Sequence, residues 1–254
     1  MGSEGARPPW SYEGFLTLFR GNASPNTLNY PQMPSRRSLL LAAALPRTAD
    51  AQLRSLFDGR TPSGWTGLAA RPFPTPSWTI ENGCLKTNVI KPVFEDIRTQ
   101  ADFAGFDLSF EWKISPGGNS GIKYLIYKED VWQPKGVTEG VHARGRGFEY
   151  QIADDAAWPE PEHQSGAIYG FLAPTRLKAH PAGAFNQGRI VRKGTTIEHW
   201  LNGEQVLAVR LDDPAMQERM KQRKVPAALP ARTPIVLQNH ASEAWFRQIQ
   251  IREL

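Results

Sequence analysis

The sequence predicts an all-β protein, an antiparallel β-sandwich of the jelly-roll type, and three observations point there. Short segments alternate apolar and polar residues with a period of two, the mark of strands with one face in a core and one in solvent. The 22 glycines and 21 prolines are spread along 254 residues, which leaves little room for long helices. Eight Trp, twelve Phe and six Tyr supply the aromatic content that strands favour.

Taken in order, residues 106–114 (Phe-Asp-Leu-Ser-Phe-Glu-Trp-Lys-Ile) alternate without a break and read as a half-buried strand. Pro116-Gly117-Gly118-Asn119 turns the chain, and 121–127 returns as the next strand. A long polar, glycine-containing connection is expected over 127–147, placed to cover a site. Phe148, Tyr150 and Ile152 alternate with Glu149 and Gln151 in a further strand. Segments 189–192, 196–201 and 205–211 follow, with Asn202-Gly203 as a tight hairpin turn. Only 214–224 reads as helix. Segments 235–240 and 245–251 close a sandwich whose strands recur at roughly ten-residue spacing.

Composition narrows the function. The formal charge is +5; residues 1–51 hold five Lys/Arg against three acids, and the rest of the chain carries +3 with its basic residues scattered. Lys221-Gln222-Arg223-Lys224 is a lone basic cluster without interleaved aromatics, so nucleic acid is not expected as a partner. The single cysteine, Cys84, rules out an intrachain disulfide and reads as a small buried hydrophobe. No apolar run approaches the roughly 18 residues of a membrane span.

Residues 1–51 read as an N-terminal extension that ends in an export signal over 33–51. Ser35-Arg36-Arg37-Ser38-Leu39-Leu40-Leu41 sets two arginines before a short apolar run, and Ala49-Asp50-Ala51 offers a small-x-small cleavage site. The pattern is similar to a twin-arginine signal, with Leu41 where lysine is common. It predicts a periplasmic or secreted domain over 52–254.

Period-two geometry sets out the candidate site. Glu149 and Gln151 share a strand face, with Cα atoms about 6.6 Å apart. Gln238 and His240 do the same on a later strand. Glu198, Trp200 and Asn202 form a third polar set, while His199 faces the other way and is expected to bond to backbone. Arg247 is expected to pair with an acid inside the sandwich. Each polar set also fits a merely wetted strand face.

Together with these, Leu56-Phe57-Asp58-Gly59, Gly64-Trp65, Trp78-Thr79-Ile80-Glu81-Asn82-Gly83, Asn119-Ser120-Gly121-Ile122, Phe148-Glu149-Tyr150-Gln151-Ile152 and Gly166-Ala167-Ile168-Tyr169-Gly170 occur in sequence. Phe185-Asn186, His199-Trp200-Leu201-Asn202-Gly203, Leu237-Gln238-Asn239-His240 and Trp245-Phe246-Arg247-Gln248-Ile249 continue the order. From about residue 53 onward the chain resembles the bacterial 3-keto-disaccharide hydrolase domain family. Asn239 stands where an acid is more usual, Gln248 where Asn is, and Phe185 where Trp is. The resemblance implies a concanavalin/laminin-G-like jelly roll acting on small carbohydrates already oxidised at C3. A ketone at C3 acidifies the C2 hydrogen, so one base removes it and the C1 substituent is expelled; water then adds or does not.

Such a site needs a base, a donor at the C3 oxygen and a proton source, not the paired carboxylates of ordinary glycosidases. His240 or Glu149 is the expected base, with His240 favoured by the near-neutral pKa of imidazole. Gln151, Gln238, Asn119 and Tyr169 are expected to hold sugar hydroxyls, and Trp200 to stack on a ring. No cofactor is required, although Glu149 with His240 could grip one divalent ion. An upstream sugar 3-dehydrogenase is the expected pathway partner. The alternatives are a non-catalytic carbohydrate-binding module and a conventional glycoside hydrolase.

Overall fold

The computed structural model describes residues 52–91 and 93–254. The expected signal at 33–51 and the extension before it lie outside the described residues. In chain order the first strands are β1 (Arg54–Ser55), β2 (Trp65–Gly67), β3 (Trp78–Glu81), β4 (Cys84–Thr87) and β5 (Ile97–Thr99). The long central strands are β6 (Phe106–Ile114), β7 (Asn119–Trp132) and β8 (His142–Ala153). After them come β9 (Asn186–Lys193), β10 (Thr196–Leu201), β11 (Glu204–Arg210), the helix α1 (Pro214–Gln222), β12 (Val236–Leu237) and β13 (Ala244–Glu253).

They form two antiparallel sheets. The larger has the order β11-β10-β9-β6-β13-β4-β3 with β1 added on β13; the smaller is β2-β5-β12-β7-β8. Where the alternation is strongest the expectation and the structure coincide. Strand β6 covers 106–114 and is buried at every second residue. Its inward residues Leu108, Phe110, Trp112 and Ile114 meet Ile122, Tyr124, Phe148, Tyr150 and Ile152 of the smaller sheet in one core. Phe110 and Tyr150 pack edge to face at 5.3 Å between centroids, a geometry that favours aromatic pairs. Cys84 is buried in β4, as expected.

Turn chemistry also holds. Asn202 and Gly203 sit at φ 49° and 84° between β10 and β11, the doubly left-handed turn that suits strand twist. The helix is capped by Asp213, whose side chain accepts from the Ala215 and Met216 amides, and starts on Pro214. It stops at Gln222, two residues short of the expected end, because Arg223 leaves helical geometry and Lys224 adopts φ 57°.

Two expectations are corrected. The connection foreseen over 127–147 is mostly strand, since β7 runs to Trp132 and β8 starts at His142. A bulge between Tyr124 and Lys128, with Leu125 at φ 53°, breaks the alternation there. Beyond it the ladder continues, with Ala143 buried and Asp130 pairing with Lys128 (2.6 Å) and Arg146 (2.8 Å). Of 235–240, only Val236 and Leu237 join the sheet ladder. Past them Gln238 N–H still donates to the Gly121 carbonyl of β7, and the departure comes at Asn239, whose N–H goes to the Asp96 carboxylate. This stretch carries Gln238 and His240 along the outer face of the smaller sheet. No helix among the described residues is long and apolar enough to cross a membrane.

Candidate functional site

With Ile122, Tyr124, Phe148 and Tyr150 committed to the core, period two turns Gly121, Lys123 and Glu149 to the other face of the smaller sheet. Lys123 is directly opposite Glu149 on β8 and opposite Val236 on β12. A cleft of about 270 Å3 opens on this face, lined among others by Asn119, Lys123, Glu149, Tyr169, Gln238 and His240.

Its floor is a buried charge cluster. Lys123, whose side chain is 5% exposed, places Nζ 2.9 Å from Asp96 Oδ2 and 3.8 Å from Glu149 Oε2. Asp96 is fully buried just before β5. It is saturated by three donors: the Asn239 amide at 3.0 Å, the Gly145 amide at 3.1 Å and the Lys123 ammonium. Asp96 therefore neutralises Lys123, and Glu149 is the carboxyl left over. Burial, the largest influence, pushes Glu149 up to about 7 against the usual carboxylate range; Lys123 and Arg144 pull it down, and Asp96 adds to the rise. Its side chain is 12% exposed, so an edge still reaches the cleft.

Neighbours fix the carboxyl in place. Gln238 Nε2 donates to Glu149 Oε2 at 3.2 Å. Gly121 underlies it, since a Cβ there would come within 2.5 Å of Oε1. His240 follows Asn239 at the cleft edge, where burial first, and then Arg144 and Lys123, hold its imidazole below the usual pKa. At neutral pH the site thus pairs an uncharged histidine with a carboxyl near its midpoint. That pairing suits proton transfer in both directions.

The expected binding residues divide. Asn119, Tyr169 and Gln238 line the cleft with the two candidate catalytic groups. Tyr169 is 38% exposed, stacks on His163 at 4.9 Å, and its amide bonds the Glu149 carbonyl. Gln151 is fully buried behind Asn119, to whose Oδ1 it donates at 3.3 Å, so it supports the cleft wall. Its Oε1 and that of Gln238 have no partner among the described residues. Trp200 is corrected outright. It lies on the larger sheet, lines a separate groove with Ser109, Gln187 and Gln250, and gives its Nε1–H to Glu198 at 2.9 Å. Period two assigned its face correctly; which sheet held that face was not in the local pattern.

His199 is the structural residue foreseen. Its Nδ1 bonds the Gly166 carbonyl, Tyr124 bonds Nε2, and burial lowers it to about 4. Arg247 does pair with an acid, Glu111 at 2.7 Å, but on the sheet exterior and not inside the sandwich as expected; there it also stacks on Phe185 at 3.7 Å. Phe185 and Gln248 are thus remote from the cleft, and Asn239 is buried, donating to the Ser77 and Asn88 carbonyls.

Sequence reasoning missed Lys123, Asp96, Arg144 and Arg223. Lys123 had a signal, a lysine inside an otherwise apolar strand and on the parity of Gly121. Asp96 had none, being brought in from a segment without periodicity. Among the described residues no three His, Cys, Asp or Glu side chains converge as a metal-ligand group.

The sequence pattern of the family described as "3-keto-alpha-glucoside-1,2-lyase-like domain" matches residues 52–252. The chain is 30% identical to a 3-keto-disaccharide hydrolase of Bacteroides thetaiotaomicron, over 83% of this chain and 81% of that one. A Parabacteroides distasonis crystal structure, described only as a candidate glycosyl hydrolase, superposes with TM-score 0.67 at 24% identity. It covers 80% of this chain and 94% of its own. A second structure of that description from the same organism gives TM-score 0.59 at 24% identity, covering 80% of this chain and 100% of its own. The last two establish likeness of fold.

Proposed function

The chain belongs to the 3-keto-alpha-glucoside-1,2-lyase-like domain family, and on that premise we propose that it cleaves 3-keto-glycosides, 3-keto-disaccharides among them, at the bond between C1 and the glycosidic oxygen. One observation carries the reading: an uncharged His240 and a Glu149 poised at about 7 line the same cleft beside a buried ammonium.

In the first step His240 takes the C2 proton, made acidic by the neighbouring ketone, and negative charge moves to the C3 oxygen. Lys123, though paired with Asp96, keeps its ammonium on the cleft floor, and its N–H dipoles favour this enolate. The electron pair then forms the C1–C2 double bond as the C1–O bond breaks, and protonated Glu149 gives its proton to the departing oxygen. The product is an enone and a free alcohol, a lyase outcome. For net hydrolysis, Glu149, now ionised, takes a proton from water as its oxygen adds to C1, and His240 returns a proton to C2. Both catalytic groups end as they began.

A conventional hydrolysis would need two available carboxyl groups. Glu149 is the acidic side chain lining the cleft among the described residues, and Asp96 beneath it is saturated with donors. A dehydrogenase reaction at C3 must supply the substrate, and export by the signal at 33–51 would set the reaction in the periplasm or outside the cell. The test is turnover of a 3-keto-glucoside beside its unoxidised parent, for wild type, Glu149→Gln and His240→Ala. Consumption of the ketone alone, lost in both variants, is expected. Turnover of the parent would favour ordinary hydrolysis, and retention without turnover a binding module. The steps above run on protein groups, and a chelator arm tests for a divalent ion held by Glu149 and His240.

A further inference from the structure

The charge on the cleft walls does not balance. Among the described residues four cationic side chains line it, Lys123, Arg144, Arg146 and Arg223, against the single acidic lining residue Glu149. Lys123 is matched by Asp96 at 2.9 Å and Arg146 by Asp130 at 2.8 Å. Arg144 and Arg223 have no carboxylate within ion-pair distance among the described residues; their recorded neighbours are aromatic faces, Phe94 at 6.0 Å for Arg144 and Phe171 at 5.0 Å for Arg223. Even with Glu149 ionised, the cleft keeps an excess positive charge.

Arg223 is exposed, yet its guanidinium is seated against the fold. Its guanidinium rests on Gly170, where a Cβ would come within 2.6 Å of Nη1, and Gly170 adopts φ 66°, a conformation that suits glycine. The residue before Gly170 is Tyr169, whose amide is tied to the Glu149 carbonyl. The end of α1 thus brings Arg223 to the cleft, seated on the 166–172 segment, and β8 brings Arg144 to the same cleft. A planar guanidinium held over an aromatic face offers two-point bonding to an anionic group.

We propose that Arg144 and Arg223 form an anion subsite, and that the preferred glycoside carries a carboxylate, sulfate or phosphate on its leaving half. The leaving half is the place for the charge, because an anion on the keto ring would oppose the enolate developing there. The assignment rests on the catalytic reading above for its orientation, while the existence of the subsite can be measured without turnover.

The experiment uses 4-carboxyphenyl and 4-carbamoylphenyl glucosides, similar in shape and differing by one charge, in both anomers. Affinities of the unoxidised pair, measured by calorimetry at about 0.01 M ionic strength where screening extends to ~30 Å, should favour the carboxylate by roughly tenfold or more, as a charge-assisted bond predicts. That preference should shrink at high salt and fall toward one in Arg223→Gln and in Arg144→Gln. Equal affinities in wild type, or a preference unmoved by salt and by both variants, would overturn the subsite. The 3-keto forms of the same pair separate the two claims. Turnover of both without preference removes the subsite and leaves the catalytic reading intact; a binding preference with turnover of neither does the reverse.

Discussion

Replacing Glu149 by Gln should abolish turnover and, at the same time, stabilise the fold in a pH-dependent way. A carboxyl titrating at 4.5 when unfolded and about 7 when folded binds its proton more tightly in the native state. The native state is therefore favoured at low pH. Stability is lost as pH rises from about 4.5 to 7, and the loss is complete above 7. The shift corresponds to about 3 kcal/mol, an upper figure because one edge of the carboxyl is wet. In a domain of this size that is a Tm difference of roughly 6–12 °C. Gln cannot ionise, so Glu149→Gln removes the penalty. Any constant change from altered bonding to Gln238 and Lys123 appears at every pH and cancels in the comparison. The assay is urea unfolding of both proteins at pH 5 and pH 8. The gain from the substitution should be larger at pH 8 by up to about 3 kcal/mol. A gain independent of pH, or larger at pH 5, would refute a buried carboxyl titrating near neutrality and with it the proton-donor role.

Three further outcomes follow from the same geometry. The pH profile of kcat/KM should be a narrow bell, its acid limb set by His240 below the usual imidazole value and its alkaline limb by Glu149 near 7; a rate that keeps rising above pH 8 would contradict the acid role. Gly121→Ala sets a Cβ within 2.5 Å of Glu149 Oε1, so it should lower kcat by ten- to a hundredfold, roughly the cost of misplacing a reacting group by an ångström, with the circular dichroism spectrum retained. Trp200→Ala should leave kcat/KM for a simple 3-keto-glucoside within about twofold, since Trp200 lies on the other sheet; a larger loss in the folded variant would return that residue to the site.

The strands were legible where one face met a core and the other met water. That condition holds along β6, with its unbroken alternation, and at β10–β11, with an Asn-Gly turn. It fails at the outer end of β7, past the bulge, where the chain over 128–132 continues as strand although its pattern reads as a loop. The site was legible to the same extent. Glu149, Gln238 and His240 stand opposite apolar neighbours and so could be assigned a shared type of face, with Asn119 and Tyr169 following from the family resemblance. Pairing between distant segments was not in the local pattern. It brings Asp96 beneath Lys123, sets Arg223 against Gly170, and sends Trp200 to the larger sheet, though that residue obeys the same parity rule as the true lining residues.

The most direct test of the chemistry is the fate of the hydrogen at C2. A 3-keto-glucoside deuterated at that carbon and turned over in ordinary water should react more slowly than the protiated compound. Its label should pass to solvent as product forms, with neither effect in His240→Ala. Product formed at an unchanged rate with the deuterium fully retained at C2 would contradict elimination and the base assigned to His240.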